Sequence, residues 1–343
     1  MLDDLKMIHD RDADDALGVA EKQWQQLQHD FDVTLPDYGE ILNVVITGMG
    51  GSTLPAVYLK SWPGTLVPLE IVRDYTLPDY VGEKTLVIVS SYSGNTEETL
   101  SALEDASGRG ARIVVATSGG KLLETAQDKG LPLLEIPGGI QPRMSAFYFL
   151  AAFVQTLEHY GLVRSGSTDE LAAAGDWLKG QMGSWRAEVP TSQNAPKQLA
   201  QELMGRSVVV YAGPKMYPAA NKMKIGCNEN AKNVAWRYQY PEFNHNEFIG
   251  WSEKPDDKPY AVVEFRSNLE HERVQKRFVV TERLLSGKRP SPNVVVPEGE
   301  TVLQQLLWSS CFGDFTTLYL ALLNGINPTP VDLVERFKVE LNK

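Results

Sequence analysis

The sequence predicts an α/β fold of two doubly wound parallel-sheet domains with a helical bridge and terminal helices. Three observations carry this: short β-branched runs alternate with helical stretches, the pattern occurs in two blocks, and Gly-, Pro- or Ser-rich turns follow the runs. Such alternation marks βαβ units, whose parallel strands are buried on both faces and so read as continuous apolar stretches. A length of 343 residues agrees, at roughly 150 residues per domain.

In chain order, residues 5–28 read as a charged amphipathic helix. Residues 41–47, 67–72, 85–91, 112–117 and 133–136 read as the five strands of a first sheet. Residues 145–160, 169–186 and 196–204 have helix-like spacing without strand signals and read as a bridge. A second, shorter sheet is expected from 207–212, 235–240, 260–266 and 293–296, with helices near 219–232, 269–285 and 301–323. Residues 330–341, apolar at Val331, Val334 and Phe337, read as a terminal helix. The expected division is 1–160 for the first domain, 161–204 for the bridge and 205–343 for the second domain.

Composition narrows the function classes. Hydrophobic residues make 43% and charged residues 22%, which excludes disordered and collagen-like chains. The formal net charge of −11 opposes nucleic acid or anionic membrane as a general partner. Cys227 and Cys311 stand far apart in no C-x-x-C pair, so neither a disulfide framework nor a structural zinc site is expected. The first 15 residues are acidic, and the longest apolar run, 146–154, is half a membrane span. A cytoplasmic protein is the expectation.

Two turns carry chemistry. Thr47-Gly-Met-Gly-Gly-Ser52 follows a strand and opens a helix, where glycines admit a ligand to backbone N–H groups and the helix N-terminus favours an anion. A dinucleotide fingerprint is the rival, with Glu70 at ribose distance, but Thr53 stands where the third glycine belongs. Ser90-Ser-Tyr-Ser-Gly-Asn-Thr-Glu-Glu98 gathers the hydroxyls of Ser91, Ser93 and Thr96 at a second strand-to-helix turn and suits a phosphate. Its plain alternative is capping, by Asn95 with Glu98 three residues on.

Gly48-Met-Gly-Gly-Ser52, Ser91-Tyr-Ser-Gly-Asn-Thr-Glu-Glu-Thr99, Gln141-Pro-Arg143, Asn228-Glu-Asn-Ala-Lys232 and Asn244-His-Asn-Glu247 together resemble the bifunctional phosphoglucose/phosphomannose isomerases. That family is built from two flavodoxin-like sugar-isomerase (SIS) domains. The resemblance implies a cofactor-free aldose-ketose isomerase acting on glucose, mannose and fructose 6-phosphates through a cis-enediolate. It places Ser52, Ser91, Ser93 and Thr96, with Gly50 and Gly51, around the phosphate. It makes Glu229 the proton-shuttling base and Arg143 the cation beside the enediolate. His245 becomes the ring-opening group, supplied across a homodimer interface, and Lys338 its helper at the ring oxygen, with Arg336 and Lys343 as nearby rivals. Read alone, Glu229 is an ion-pair partner of Lys224 and Lys232. Room for both C2 configurations is expected near Thr329. Residues 252–297 look expanded relative to the family.

The alternatives are an amino-sugar phosphate isomerase, a phosphosugar sensor that binds without turnover, and a nicotinamide dehydrogenase. His245-Asn-Glu247 matches half of a zinc deaminase signature, but the P-C-x-x-C half is absent, so no metal is assigned. No G-x-x-x-x-G-K-[ST] loop occurs.

Overall fold

A computed structural model describes residues 1–253 and 259–341. They form two compact units, one of residues 22–180 and one combining residues 1–21 with 181–343.

In the unit of residues 22–180, β1 (Asn43–Thr47), β2 (Leu69–Val72), β3 (Thr85–Ser91), β4 (Arg112–Thr117) and β5 (Leu133–Glu135) form a wholly parallel sheet in the order β2-β1-β3-β4-β5. This is the flavodoxin-like order, with its switch point between β1 and β3. Every residue of β3 is buried. Val45, Val87, Val89 and Val115 pack with Leu103 and Ala106 of helix Glu97–Gly108 and Leu122 of helix Gly120–Asp128. Strand alternation turns Val44, Ile46, Leu86 and Ile88 to the opposite face, where they are equally buried. Helix Ala146–His159 is apolar on nearly all sides and buried accordingly.

In the other unit, β6 (Ser207–Ala212), β7 (Ala235–Gln239), β8 (Tyr260–Phe265) and β9 (Asn293–Val295) form a second parallel sheet in the order β7-β6-β8-β9. Helix Val302–Leu323 is its core. Among the described residues it is the one helix long and apolar enough to cross a membrane, yet 94% of its apolar window is buried inside the protein. A Thr301–Gln304 capping box starts it. It lies close against helix Tyr217–Glu229, because a Cβ on Gly226 would stand 2.5 Å from Thr317 Oγ1.

All nine expected strands occur, with ends shifted by at most two residues. The helix expected over residues 5–28 does not form as one piece: Leu5–Arg11, Ala16–Glu21 and Gln23–Gln26 are separate. The Asp12 carboxylate accepts from Ala16 N at 2.8 Å and Leu17 N at 2.9 Å, and Asp15 has φ 55°, so the acidic run caps a new helix instead of continuing the first. Helices Ser167–Met182 and Ala195–Leu203 occupy the bridge region, and Asp332–Leu341 forms the terminal helix with none of its residues buried. Of the stretch expected to be expanded, residues 254–258 lie outside the described residues, as does Lys343.

Candidate active site

The first cluster sits where β1 and β3 end, at the switch point of the first sheet. Ser52 is buried and its Oγ accepts from Tyr92 N at 2.9 Å, joining the loop after β1 to the loop after β3. Ser90 Oγ reinforces the joint by donating to Thr47 O at 3.1 Å. Ser91 Oγ accepts from Gly94 N at 3.1 Å and shares a hydrogen bond with Thr96 Oγ1 at 3.0 Å. Ser93 is exposed, its Oγ 3.4 Å from Asn95 N. The loop thus lines up hydroxyls just ahead of helix Glu97–Gly108.

The capping alternative for this loop does not hold. Thr96, not Asn95, is the N-cap, and its side chain makes no capping hydrogen bond. Asn95 instead accepts from Lys121 N at 3.1 Å, at the start of the next helix. The positive end of helix Glu97–Gly108 therefore has a hydroxyl-rich approach rather than a self-contained cap. Glu97 and Glu98 lie in its first turn, Glu97 being 3.4 Å from the Tyr75 hydroxyl. Glu70, the ribose candidate, is exposed on β2 and accepts from the Tyr80 hydroxyl at 2.7 Å.

Arg143 belongs to the same cluster. It lies in the 3-10 turn Pro142–Met144, only 4% exposed. A Cβ on Gly51 would come within 2.6 Å of Pro142 O and 3.0 Å of Arg143 Cα, so only glycine lets the two loops meet. Tyr92 holds the approach to this turn: its hydroxyl accepts from Ile140 N at 3.1 Å, and burial pushes the phenol pKa up, keeping it protonated. Gly50 is exposed with φ +53° and open space around it.

The second cluster lies in the other unit. Glu229 ends helix Tyr217–Glu229, and two interactions to helix Val302–Leu323 fix that helix. Lys222 pairs with Asp314, both side chains at most 4% exposed. Asn230 Nδ2 donates to Thr317 Oγ1 at 2.9 Å. The Lys232 ammonium donates to the carbonyls of Glu229 at 2.8 Å and Pro328 at 3.0 Å, so it ties the helix end to the segment before the terminal helix. A groove of about 670 Å³ lies between Glu229, Lys232 and residues 326–334. Thr329, half-buried, sits among them, its N–H on Asn327 Oδ1 at 3.0 Å. Lys338 lies further along the terminal helix, paired with Glu335 at 2.8 Å.

His245 occupies a 3-10 turn after β7, whereas Glu229 precedes β7. The five residues of β7 rise about 16 Å, and Glu229 precedes the first end of that strand while His245 follows the other. The imidazole is exposed. Among the described residues no group of three His, Cys, Asp or Glu side chains gathers to hold a metal ion.

Sequence reasoning missed the loop after β4. A Cβ on Gly94 would come within 1.7 Å of Gly119 O, so Thr117–Gly120 buttresses the hydroxyl loop. Its signal, Thr117-Ser-Gly-Gly after a strand, repeats the composition of the loops that were singled out.

Residues 192–341 match the bacterial phospho-glucose isomerase C-terminal SIS domain. A bifunctional phosphoglucose/phosphomannose isomerase of Aquifex aeolicus is 34% identical over 303 residues, covering 88% of this chain and 90% of the relative. A D-glucosamine-6-phosphate 4-epimerase of Sulfolobus acidocaldarius is 32% identical over 71% of this chain and 75% of the relative. Among solved structures, a glucose-6-phosphate isomerase like protein of Thermus thermophilus has a TM-score of 0.65 at 19% identity over 98% of each chain, a likeness of fold. With its five motifs in order along two parallel sheets and close relatives over most of its length, the chain belongs to the bifunctional phosphoglucose/phosphomannose isomerase family.

Proposed function

We propose that this chain interconverts glucose 6-phosphate and mannose 6-phosphate with fructose 6-phosphate by proton transfer through a cis-enediolate. The observation that carries the reading is the hydroxyl loop after β3, facing the loop after β1 at the switch point of a parallel sheet, where doubly wound folds bind ligands. Ser52, Ser91, Ser93 and Thr96, with the amides of Gly50 and Gly51, hold the phosphate. Dipoles and hydroxyls do this without a cluster of basic side chains, which accommodates the net charge of −11.

The Glu229 carboxylate takes the C2 proton of the open aldose while the C1 carbonyl oxygen becomes the enediolate oxyanion; the C2 hydroxyl proton passes to O1, and the carboxylic acid returns its proton to C1 as the C2 carbonyl forms, giving the ketose. Arg143 stabilises that developing charge; contributions of this kind are each on the order of 10²-fold or more in rate. His245 passes a proton between the anomeric hydroxyl and the ring oxygen, and Lys338 assists at that oxygen. The placement of Glu229 and His245 beyond opposite ends of β7 supports a homodimer in which His245 serves the neighbouring copy's substrate. Two buried free thiols, Cys227 and Cys311, agree with a cytoplasmic location.

Proton NMR of fructose 6-phosphate in heavy water tests the reading. The wild type is expected to yield both aldoses with deuterium at C2, and Glu229→Gln to lose at least about 10²-fold in turnover with near-native fructose 6-phosphate binding. Turnover surviving that change removes Glu229 from the mechanism. The epimerase name of the Sulfolobus relative favours one second reading, an amino-sugar phosphate substrate, which parallel coupled assays with glucosamine 6-phosphate distinguish.

A further inference from the structure

In the motif Asn244-His-Asn-Glu247, the side chains of Asn244 and Glu247 bond into the body of the second unit, that of Asn246 bonds within the turn, and the imidazole is exposed. Asn244 Nδ2 donates to Thr281 Oγ1 at 2.9 Å and its Oδ1 accepts from Arg277 Nη1 at 3.1 Å, which fastens the turn to helix Glu272–Leu284. Asn246 Nδ2 donates to Glu242 Oε1 at 2.8 Å, closing the turn on itself. Glu247 reaches furthest: its carboxylate accepts from the hydroxyl of Tyr211, a residue with no exposed surface in the middle of the second sheet. The same hydroxyl accepts from Trp251 Nε1 at 2.9 Å.

Tyr211 is therefore the anchor of the loop. Its ring packs against Phe243 with centroids 4.6 Å apart and against Tyr240 at 6.3 Å, so the hydroxyl cannot follow a moving loop without disturbing the core. Burial and the adjacent Glu247 carboxylate raise the phenol pKa far above its usual value, so the hydroxyl stays a donor throughout the working range. A buried donor with an anionic acceptor makes a strong, directional bond.

We propose that Tyr211 is a positioning residue for His245, acting through the Glu247 carboxylate to set where the imidazole meets the sugar ring oxygen. This rests on the reading of His245 as the ring-opening group. Its consequence is selective: the anchor serves ring opening and leaves the proton transfer at C1 and C2 untouched.

The test compares two ketoses in heavy water, reading deuterium entry at C1 by proton NMR. Fructose 6-phosphate must open its furanose ring first. 5-Deoxyfructose 6-phosphate lacks the hydroxyl that closes that ring and is open-chain throughout. Tyr211→Phe and Glu247→Ala are expected to slow exchange into fructose 6-phosphate by about 10- to 100-fold, with exchange into the deoxy sugar within threefold of wild type. Glu247→Gln, which keeps an acceptor oxygen, is expected to restore most of the loss. Trp251→Phe, which removes the second hydrogen bond to Tyr211 and keeps the bond from Tyr211 to Glu247, is expected to leave the ratio of the two rates near wild type. An unchanged ratio in Tyr211→Phe and Glu247→Ala overturns the proposal, and so does an equal drop in the ratio for Trp251→Phe, which would mark general loosening of the core. A variant that fails to fold loses both rates together, and Glu247→Gln then decides. His245→Ala is the separate control: if it leaves the ratio unchanged, the ring-opening role of His245 is what fails.

Discussion

Replacing Gly94 by alanine probes the contact on which the proposed phosphate cradle rests. Gly94 has φ +66°, and a Cβ there would stand 1.7 Å from Gly119 O and 2.7 Å from its carbonyl carbon. The left-handed backbone costs an L-residue roughly 1–2 kcal/mol, and forcing atoms into a filled site costs about 1–3 kcal/mol more. To regain an ordinary 3.4 Å contact, the loops after β3 and β4 must part by about 1.7 Å. That displacement works against the bonds from Leu122 N to Gly94 O, at 2.9 Å, and from Lys121 N to Asn95 Oδ1, at 3.1 Å. A total of about 2–5 kcal/mol corresponds to a fall of roughly 10 °C in Tm for a unit of this size. Because Ser91, Ser93 and Thr96 ride on the same loop, KM is expected to rise by about 10- to 100-fold. Gly130→Ala separates the two causes, since Gly130 also has positive φ, +61°, but open space around it; it is expected to lose only about 1 kcal/mol. Thermal unfolding by circular dichroism and steady-state kinetics on fructose 6-phosphate provide the readouts. A Gly94→Ala protein melting within 2 °C of wild type, with KM within twofold, would refute both the loop contact and its role in holding phosphate.

Ser91→Ala and Thr96→Val each remove a hydroxyl; a hydrogen bond to a charged group is worth about 1.5–3 kcal/mol, so KM is expected to rise 10-fold or more with a smaller change in kcat. Lys222→Met removes the cation beside the buried Asp314 carboxylate and is expected to cost about 3–5 kcal/mol, while Lys222→Met with Asp314→Leu recovers most of that loss; urea unfolding of both variants checks this. Glu158 is pushed up by burial but held below the ordinary 4.5 by stronger hydrogen bonding, including Thr168 Oγ1 at 2.6 Å and Thr168 N at 2.7 Å. A depressed carboxylate stabilises the fold above its unfolded pKa and loses that contribution as pH falls through the folded value. The Tm gap between wild type and Glu158→Gln is thus expected to be full near neutral pH and to close below pH 4.5; a gap independent of pH would contradict the assignment.

By itself, the sequence determined the layered architecture and the hydroxyl- and glycine-rich turns proposed to hold the substrate. Strands buried on both faces, such as Val87–Ser91 within β3, must be written in apolar, β-branched residues, and the turns after them in Gly and Ser, so both are readable along the chain. The hydroxyl loop was legible for the same reason, because its residues are neighbours in sequence. What only the tertiary structure decided is which partner each side chain takes. Residues 5–28 have helical spacing throughout, yet Asp12 and Asp15 interrupt them by bonding backbone amides. Asn95 and Glu98 fit a cap, yet the Asn95 carboxamide serves the helix after β4. Lys232 reads as a partner of its helix neighbour Glu229, and the fold also sets its ammonium on the carbonyl of Pro328, 96 positions away. Tyr211 reads as one more core aromatic until its hydroxyl is seen on Glu247, 36 positions away. Local pattern reports the burial a residue needs, but a hydrogen bond is directional and short-ranged, so its identity depends on which chain segments the packed sheets bring within about 3 Å of one another.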